Sequence, residues 1–311
     1  MKLDPILRQI KDEVTIDTVA LSGSVRGREL EAKSLRELDQ QLQAALYEAY
    51  HARPDSVASP DTPPRPGRDF DLERELVATT EGLSSKYPLE VGDDGVFRFE
   101  GIRVTLSEEQ RTRLTTADGQ TFLTDRAVRP ALSPGFVLVR SAGADRGWQE
   151  GLLRLYLGIA DPAGARIIWE KTLRLLGGFD SWWQTKVLSR SWDYPRTDAQ
   201  VVYLPVRASR HLPQFLKELE SLPQIGGNGS RFAHAIRDGI ALAFEPSDLR
   251  DGYAGDSFGQ HRSKVISHWL IESGPSDEEA LMSSLILADI DPANIARNLS
   301  SLPLAGLGLA E

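Results

Sequence analysis

The chain has 311 residues, 41% hydrophobic and 26% charged, the balance of a globular protein able to bury a sizeable core in one large domain or two smaller ones. It contains no cysteine, which excludes disulfides, thiolate nucleophiles and cysteine-based zinc sites and fits a reducing compartment. A formal net charge of −9 argues against a general nucleic-acid binder. The opening MKLDPILRQIKDEV lacks a signal-peptide core and no apolar run is long enough to cross a bilayer, so the expected location is cytoplasmic, with no membrane partner.

In chain order, Leu3, Ile6, Leu7, Ile10 and Val14 predict an amphipathic helix, and Leu35, Leu38, Leu42 and Leu46 a second, ending near Tyr50. Residues 52–68 hold Pro54, Pro60, Pro63, Pro64 and Pro66, which reads as a loop or linker. A helix around Phe70–Leu83 follows. Phe97 and Phe99, then Ile102, Val104 and Leu106, alternate about Glu100-Gly101 as in a hairpin, and Asp118-Gly119 marks another turn. Phe136–Val139 is a strand leaving the turn Ser133-Pro134-Gly135. In LLRLYLGI, Leu153, Leu155, Leu157 and Ile159 share one face while Arg154 and Tyr156 share the other.

Asp161-Pro162 opens a helix that ends at Gly177-Gly178. Strands follow through Lys186 and Leu188 and over Ala199–Leu204, then a helix carrying Leu212, Phe215, Leu216, Leu219 and Leu222. GGNGS (226–230) is a loop and Ile240–Phe244 a strand. DGYAGDSFGQHR leads into a helix with Phe258, Val265, Ile266, Trp269 and Leu270. The pattern Ser276-x-x-Glu279 reads as the capping box of a helical tail. The fold class is α+β, a mixed or antiparallel sheet flanked by helices. Three regions are expected: a helical and β-rich 1–145, a core over 146–273 and a tail over 274–311.

Residues 151–272 hold 15 Lys/Arg against 13 Asp/Glu in an otherwise acidic chain, either chance variation or a cationic cleft for an anionic substrate. GGNGS lacks the Lys-Ser/Thr of a phosphate-binding loop, and GxGxxG, HExxH and GxSxG are missing. The five histidines have no metal-ligand spacing. No cofactor and no metal are expected; the remaining chemistry belongs to Lys, Arg, His, Tyr and carboxylates.

RLYLGI, a helix, and TKVLSRSWDYPRTDAQVVYLP, followed by RFAHAIRDGIALAFEPSDL and GDSFGQHR, resemble the HopA effector family. LSPGFVLV at 132–139 fits the same pattern, and a weaker likeness reaches back to LYEAYHARP, so the resemblance covers roughly 35–272. HopA itself is a type III effector of plant pathogens. Relatives in ribosomal peptide pathways, including class V lanthipeptides and thioamitides, work beside a separate aminoglycoside-phosphotransferase-like kinase and eliminate phosphate from the phosphorylated precursor peptide. The family is distantly similar to phosphothreonine lyases of the OspF/SpvC type.

By that resemblance Lys186 stands at the lyase base, Arg196 and Arg154 at phosphate-binding positions, and Tyr156 where those lyases carry a histidine acid. The acid is then Tyr156, His234 or His261, or no dedicated acid is needed; Arg262 and Arg231 complete the candidate phosphate set. The residue types suit the reaction. A lysine becomes a base when burial and neighbouring cations lower its pKa, and the arginine fork binds phosphate oxygens in pairs. The competing expectation is a non-catalytic phosphopeptide- or leader-binding protein, or an effector that acts by docking.

Overall fold

Asp4 starts the first helix: its carboxylate accepts from the Ile6 N–H and Pro5 stands at the first helical position of α1 (Pro5–Glu13). The computed structural model describes residues 3–54, 67–93, 95–99, 101–141 and 151–307, so most of the expected loop at 52–68 lies outside the described residues. After α1 come β1 (Val14–Asp17), β2 (Ser22–Val25) and β3 (Arg28–Glu31), an antiparallel three-stranded sheet that the sequence reading does not anticipate. The turn from β2 to β3 runs through Arg26 and Gly27, both at positive φ. This is the twist a two-residue hairpin needs, made here without the Asn-Gly or Asp-Gly that announces it.

Ser34 caps α2 (Leu35–Leu46), whose Leu38, Leu42, Ala45 and Leu46 are buried; the helix continues as a π-helical turn over Tyr47–Ala52. Next are α3 (Phe70–Ala78), β4 (Ser84–Val91), β5 (Phe97–Phe99), β6 (Ile102–Val104), α4 (Glu108–Arg111), β7 (Leu114–Ala117) and β8 (Gln120–Arg126). The strands of this stretch form a five-stranded sheet, order β6-β5-β4-β8-β7, around Tyr87, Leu89, Leu106 and Leu123.

The central sheet is assembled from β9 (Val128–Ser133), β10 (Phe136–Arg140), β11 (Leu152–Ile159), β12 (Gln184–Leu188), β13 (Arg196–Pro205), β14 (His234–Arg237) and β15 (Ile240–Phe244). Its order is β14-β15-β11-β13-β12-β10-β9 and every pairing is antiparallel, within an α+β fold. Between its strands lie α5 (Pro162–Leu176) and α6 (Leu212–Glu220), and after it α7 (Phe258–Ser273) and α8 (Glu278–Leu287). The cap of α8 is Asp277, whose carboxylate takes the Ala280 N–H; the expected Ser276 capping box is displaced by one residue. A carboxylate at that position also complements the helix dipole.

β11 is buried on both sides. Leu153, Leu155 and Leu157 pack with Ile168, Trp169 and Leu173 of α5 and Phe215 and Leu219 of α6. Leu152 and Tyr156, with Val201, Tyr203, Ala241 and Ala243, share the other face with Leu7 and Ile10 of α1, Leu38 and Leu42 of α2, and Val265, Ile266 and Trp269 of α7. The expected alternation along this strand therefore divides two cores.

Gly259 lets the π-helical turn lie against the start of α7: a Cβ there would collide with the His51 ring and stand 2.7 Å from Tyr47 Cε2. Gly259→Ala is expected to destabilise the fold by about 1–3 kcal/mol through overpacking. Urea denaturation should show a lower midpoint at an unchanged slope. An unaltered midpoint would mean that the turn and the helix are not held this close.

Candidate functional site

Directly opposed residues of antiparallel strands point to the same face, so the register aligns Arg129, Leu138, Lys186, Val201, Tyr156 and Ala241 in one row across the central sheet. A second row holds Gln184, Tyr203, Arg154 and Ala243 on the same face. Sheet topology thus brings together three predicted residues, Arg154, Tyr156 and Lys186. Lys186 is separated from Tyr156 by the Val201 strand, a backbone distance of about 10 Å at normal strand spacing.

Lys186 is half-buried, with Nζ 4.3 Å from the centre of the Phe136 ring. It makes no ion pair among the described residues. Arg154 is buried and binds Glu245 with both arms of its fork, NH2 donating to Oε1 at 2.6 Å and Nε to Oε2, while its guanidinium rests on the Tyr203 ring. Burial opposes its charge, but Tyr203 and Glu245 outweigh burial and hold it protonated. The Tyr156 hydroxyl is buried beside the Arg154 guanidinium with no hydrogen bond of good geometry among the described residues; burial pushes its pKa up and Arg154 works the other way. It is a phenol, available as a donor.

Arg196 begins β13 and donates to both oxygens of Asp198, each at 2.7 Å; Tyr47 donates to Asp198 Oδ2 at 2.9 Å. Burial works against the Asp198 charge, yet Arg196 prevails and holds the carboxyl well below the usual range. Arg262 is fully buried and turned toward the C-terminal segment, where Nε donates to the Ile295 carbonyl at 2.8 Å and NH2 to the Arg297 carbonyl and Asn298 Oδ1. It is behind the Phe258 ring, and burial brings its pKa down to about 9.

The other candidates are dispersed. His261 lies between Asp248, 3.0 Å from Nε2, and the Arg262 guanidinium, 2.8 Å from Nδ1. His234 is on edge strand β14 opposite Leu242, in the row of Leu155 and hence on the other face from Tyr156. Arg231 binds the Tyr50 carbonyl through its backbone N–H and borders a cavity of about 460 Å³ between α1 and the loop Asn228–Ser230. Neither Lys186 nor Tyr156 borders that cavity.

His51, which the sequence reading did not select, stands at the centre. Its ring meets Tyr156 edge-on at 5.0 Å, Nδ1 is 2.7 Å from Ser230 Oγ, and Nε2 is 3.9 Å from Asp198 Oδ2. Burial lowers its pKa to about 4, with Asp198 opposing and Arg196, Arg154 and Lys186 adding to the effect. Its signal was the stretch LYEAYHARP, which contains Tyr47 and His51; Glu245 likewise lies within AFEPSDL.

The model of the HopA1 effector protein family matches residues 127–297, more than half of the chain, including β10 to β15, Lys186 and the Arg154–Glu245 pair. The chain belongs to this family. A solved effector protein from Pseudomonas syringae pv. syringae strain 61 is similar at 18% identity over 85% of this chain and 92% of that one, TM-score 0.51. An effector protein from Pseudomonas syringae pv. tomato strain DC3000 is similar at 16% identity over 86% and 91%, TM-score 0.50. At these identities the likeness is one of fold. No curated protein matches the chain.

Two predictions follow from the buried charges. Glu245→Gln leaves Arg154 without its counter-ion and is expected to cost about 3 kcal/mol, the lower end for a broken buried pair because Glu245 is partly exposed; a denaturation midpoint equal to wild type would show that solvent already neutralises Arg154. The unfolded chain protonates His51 near 6.5 whereas the fold resists until about 4, so stability should fall as pH drops from 6.5 toward 4. His51→Gln should lose less stability over that interval, measured by urea midpoints at pH 7 and pH 4.5.

Proposed function

We propose that this HopA1-family chain is a phosphoserine/phosphothreonine lyase. It would remove phosphate from a kinase-phosphorylated precursor peptide, leaving dehydroalanine or dehydrobutyrine in ribosomal peptide maturation. Lys186 takes the Cα proton; the electron pair forms the Cα–Cβ double bond, and the Cβ–O bond breaks with its electrons going to the departing phosphate. Arg154 and Arg196 bind phosphate oxygens, and Tyr156 donates to one of them.

The observation that carries this reading is Lys186. It is a half-buried amine over Phe136, held by no carboxylate among the described residues, on the same sheet face as Arg154 and Tyr156. His234 and His261 are less suited as acids: one is on the opposite face and the other is engaged by Asp248 and Arg262. Arg231 borders a different cavity, and the donors of Arg262 already bind the C-terminal segment.

A second reading, an effector that docks without catalysis, is favoured by the pairing of the cations. Arg154 and Arg196 are each bound to a carboxylate through Nε and NH2, so the two-donor edge that suits phosphate is already taken. The similar solved structures are those of effector proteins.

Mass spectrometry of a phosphoserine peptide incubated with the pure protein distinguishes the two. The lyase gives loss of phosphoric acid and a dehydro residue, with turnover unchanged in excess chelator. Lys186→Ala should reduce the rate by about 10²–10⁴-fold while still binding the phosphopeptide, as expected for removal of a proton-transfer group. An active Lys186→Ala protein would sink the mechanism, and intact phosphopeptide that binds wild type would favour docking.

A further inference from the structure

We propose that the π-helical turn Tyr47–Ala52 completes the anion site, and that His51 takes up a proton when a phosphoryl dianion enters beside Tyr156 and Lys186. This rests on the phosphoryl reading above but not on the elimination step. Residue 51 lies outside the stretch 127–297 matched by the family, so the site is composite.

Two adjacent polar groups await a partner. The buried Tyr156 hydroxyl, though beside Arg154, makes no hydrogen bond of good geometry among the described residues, and His51 Nε2 is 3.9 Å from Asp198 Oδ2, beyond hydrogen-bond length. Their rings meet edge-on at 5.0 Å, which sets the two side chains next to each other in the proposed site. An unsatisfied buried hydroxyl is unfavourable, and an anionic acceptor relieves it.

The surroundings of His51 decide its charge. β11 presents Arg154 and Tyr156, β12 presents Lys186, and β13 presents Arg196 and Asp198. Its own turn presents Tyr47; α7 presents Phe258 and Gly259, with Arg262 behind the Phe258 ring; and the loop before β14 presents Ser230 and Phe232. Burial and these cations keep the imidazole neutral. A dianion placed among them reverses the balance and favours the imidazolium. Ser230 offers the route for the proton: its hydroxyl binds Nδ1 at 2.7 Å, and the residue also borders the 460 Å³ cavity. On the same face, Lys186 and Gln184 are only partly buried.

Calorimetric titration of the full chain with inorganic phosphate at pH 7, in two buffers of different ionisation enthalpy, measures protons exchanged per phosphate bound. Phosphate's own ionisation is common to wild type and His51→Gln, so their difference reports His51. Wild type should take up at least about half a proton more than His51→Gln. In case the variant folds poorly, histidine ring NMR of the wild type should show one buried imidazole moving to the imidazolium shift as phosphate is added. Equal proton exchange together with an unmoved ring signal overturns the inference and leaves the lyase reading standing. Proton uptake without any elimination of phosphopeptide supports the inference and overturns the lyase. No phosphate binding by wild type overturns both.

Discussion

Arg154 and Arg196 stand on a sheet face that the N-terminal helices and α7 then cover, and an ion taken out of water costs several kcal/mol unless it is paired. Much of the surrounding architecture follows from that. Glu245 is delivered by the chain leaving β15, where its N–H binds the Leu152 carbonyl and its own carbonyl is held by Asn298. Asp198 sits two residues along the same strand as Arg196 and gains a second partner in Tyr47. Lys186 is only half-buried, with its amine over the Phe136 ring.

The C-terminal segment serves the same constraint at one remove. Arg262, fully enclosed by α7 and its neighbours, has carbonyls of Ile295 and Arg297 and the Asn298 amide as acceptors in place of a carboxylate. Because Asn298 also holds the Glu245 carbonyl, the Arg154–Glu245 pair and the Arg262 cluster share a support. Changes at either end are therefore expected to couple rather than add.

How much of this was legible in the sequence depended on whether the signal was local. The alternation of LLRLYLGI predicted which side chains of β11 share a face, and Asp161-Pro162 and Gly177-Gly178 bounded α5 to the residue. The strands β1 to β3 were missed because they are four residues each and joined by an Arg-Gly turn. β4 begins directly after the expected helix Phe70–Leu83 with no turn signal to announce it, and β14 is a four-residue edge strand with a bulge. At the site, Arg154, Tyr156 and Lys186 were candidates through the family resemblance, and strand alternation adds only that Arg154 and Tyr156 share a face. His51 and Glu245 were not, since their significance lies in contacts with residues about a hundred or more positions away: Ser230 and Tyr156 for one, Arg154 for the other.

Those distant contacts bear on where the functional unit begins. Residues 127–297 carry the sheet, α5 to α7 and the Arg154–Glu245 pair, yet one face of that sheet is apolar at Val201, Ala241 and Ala243 and packs against Leu7, Ile10, Leu38 and Leu42. Without α1 and α2, that surface and the Tyr156 hydroxyl would meet water, and Asp198 would lose Tyr47. The hydrophobic driving force that seats the N-terminal helices thus also brings His51 against the charged row. Seating of α1 and α2 and assembly of this buried cluster are therefore coupled, although His51 lies outside residues 127–297.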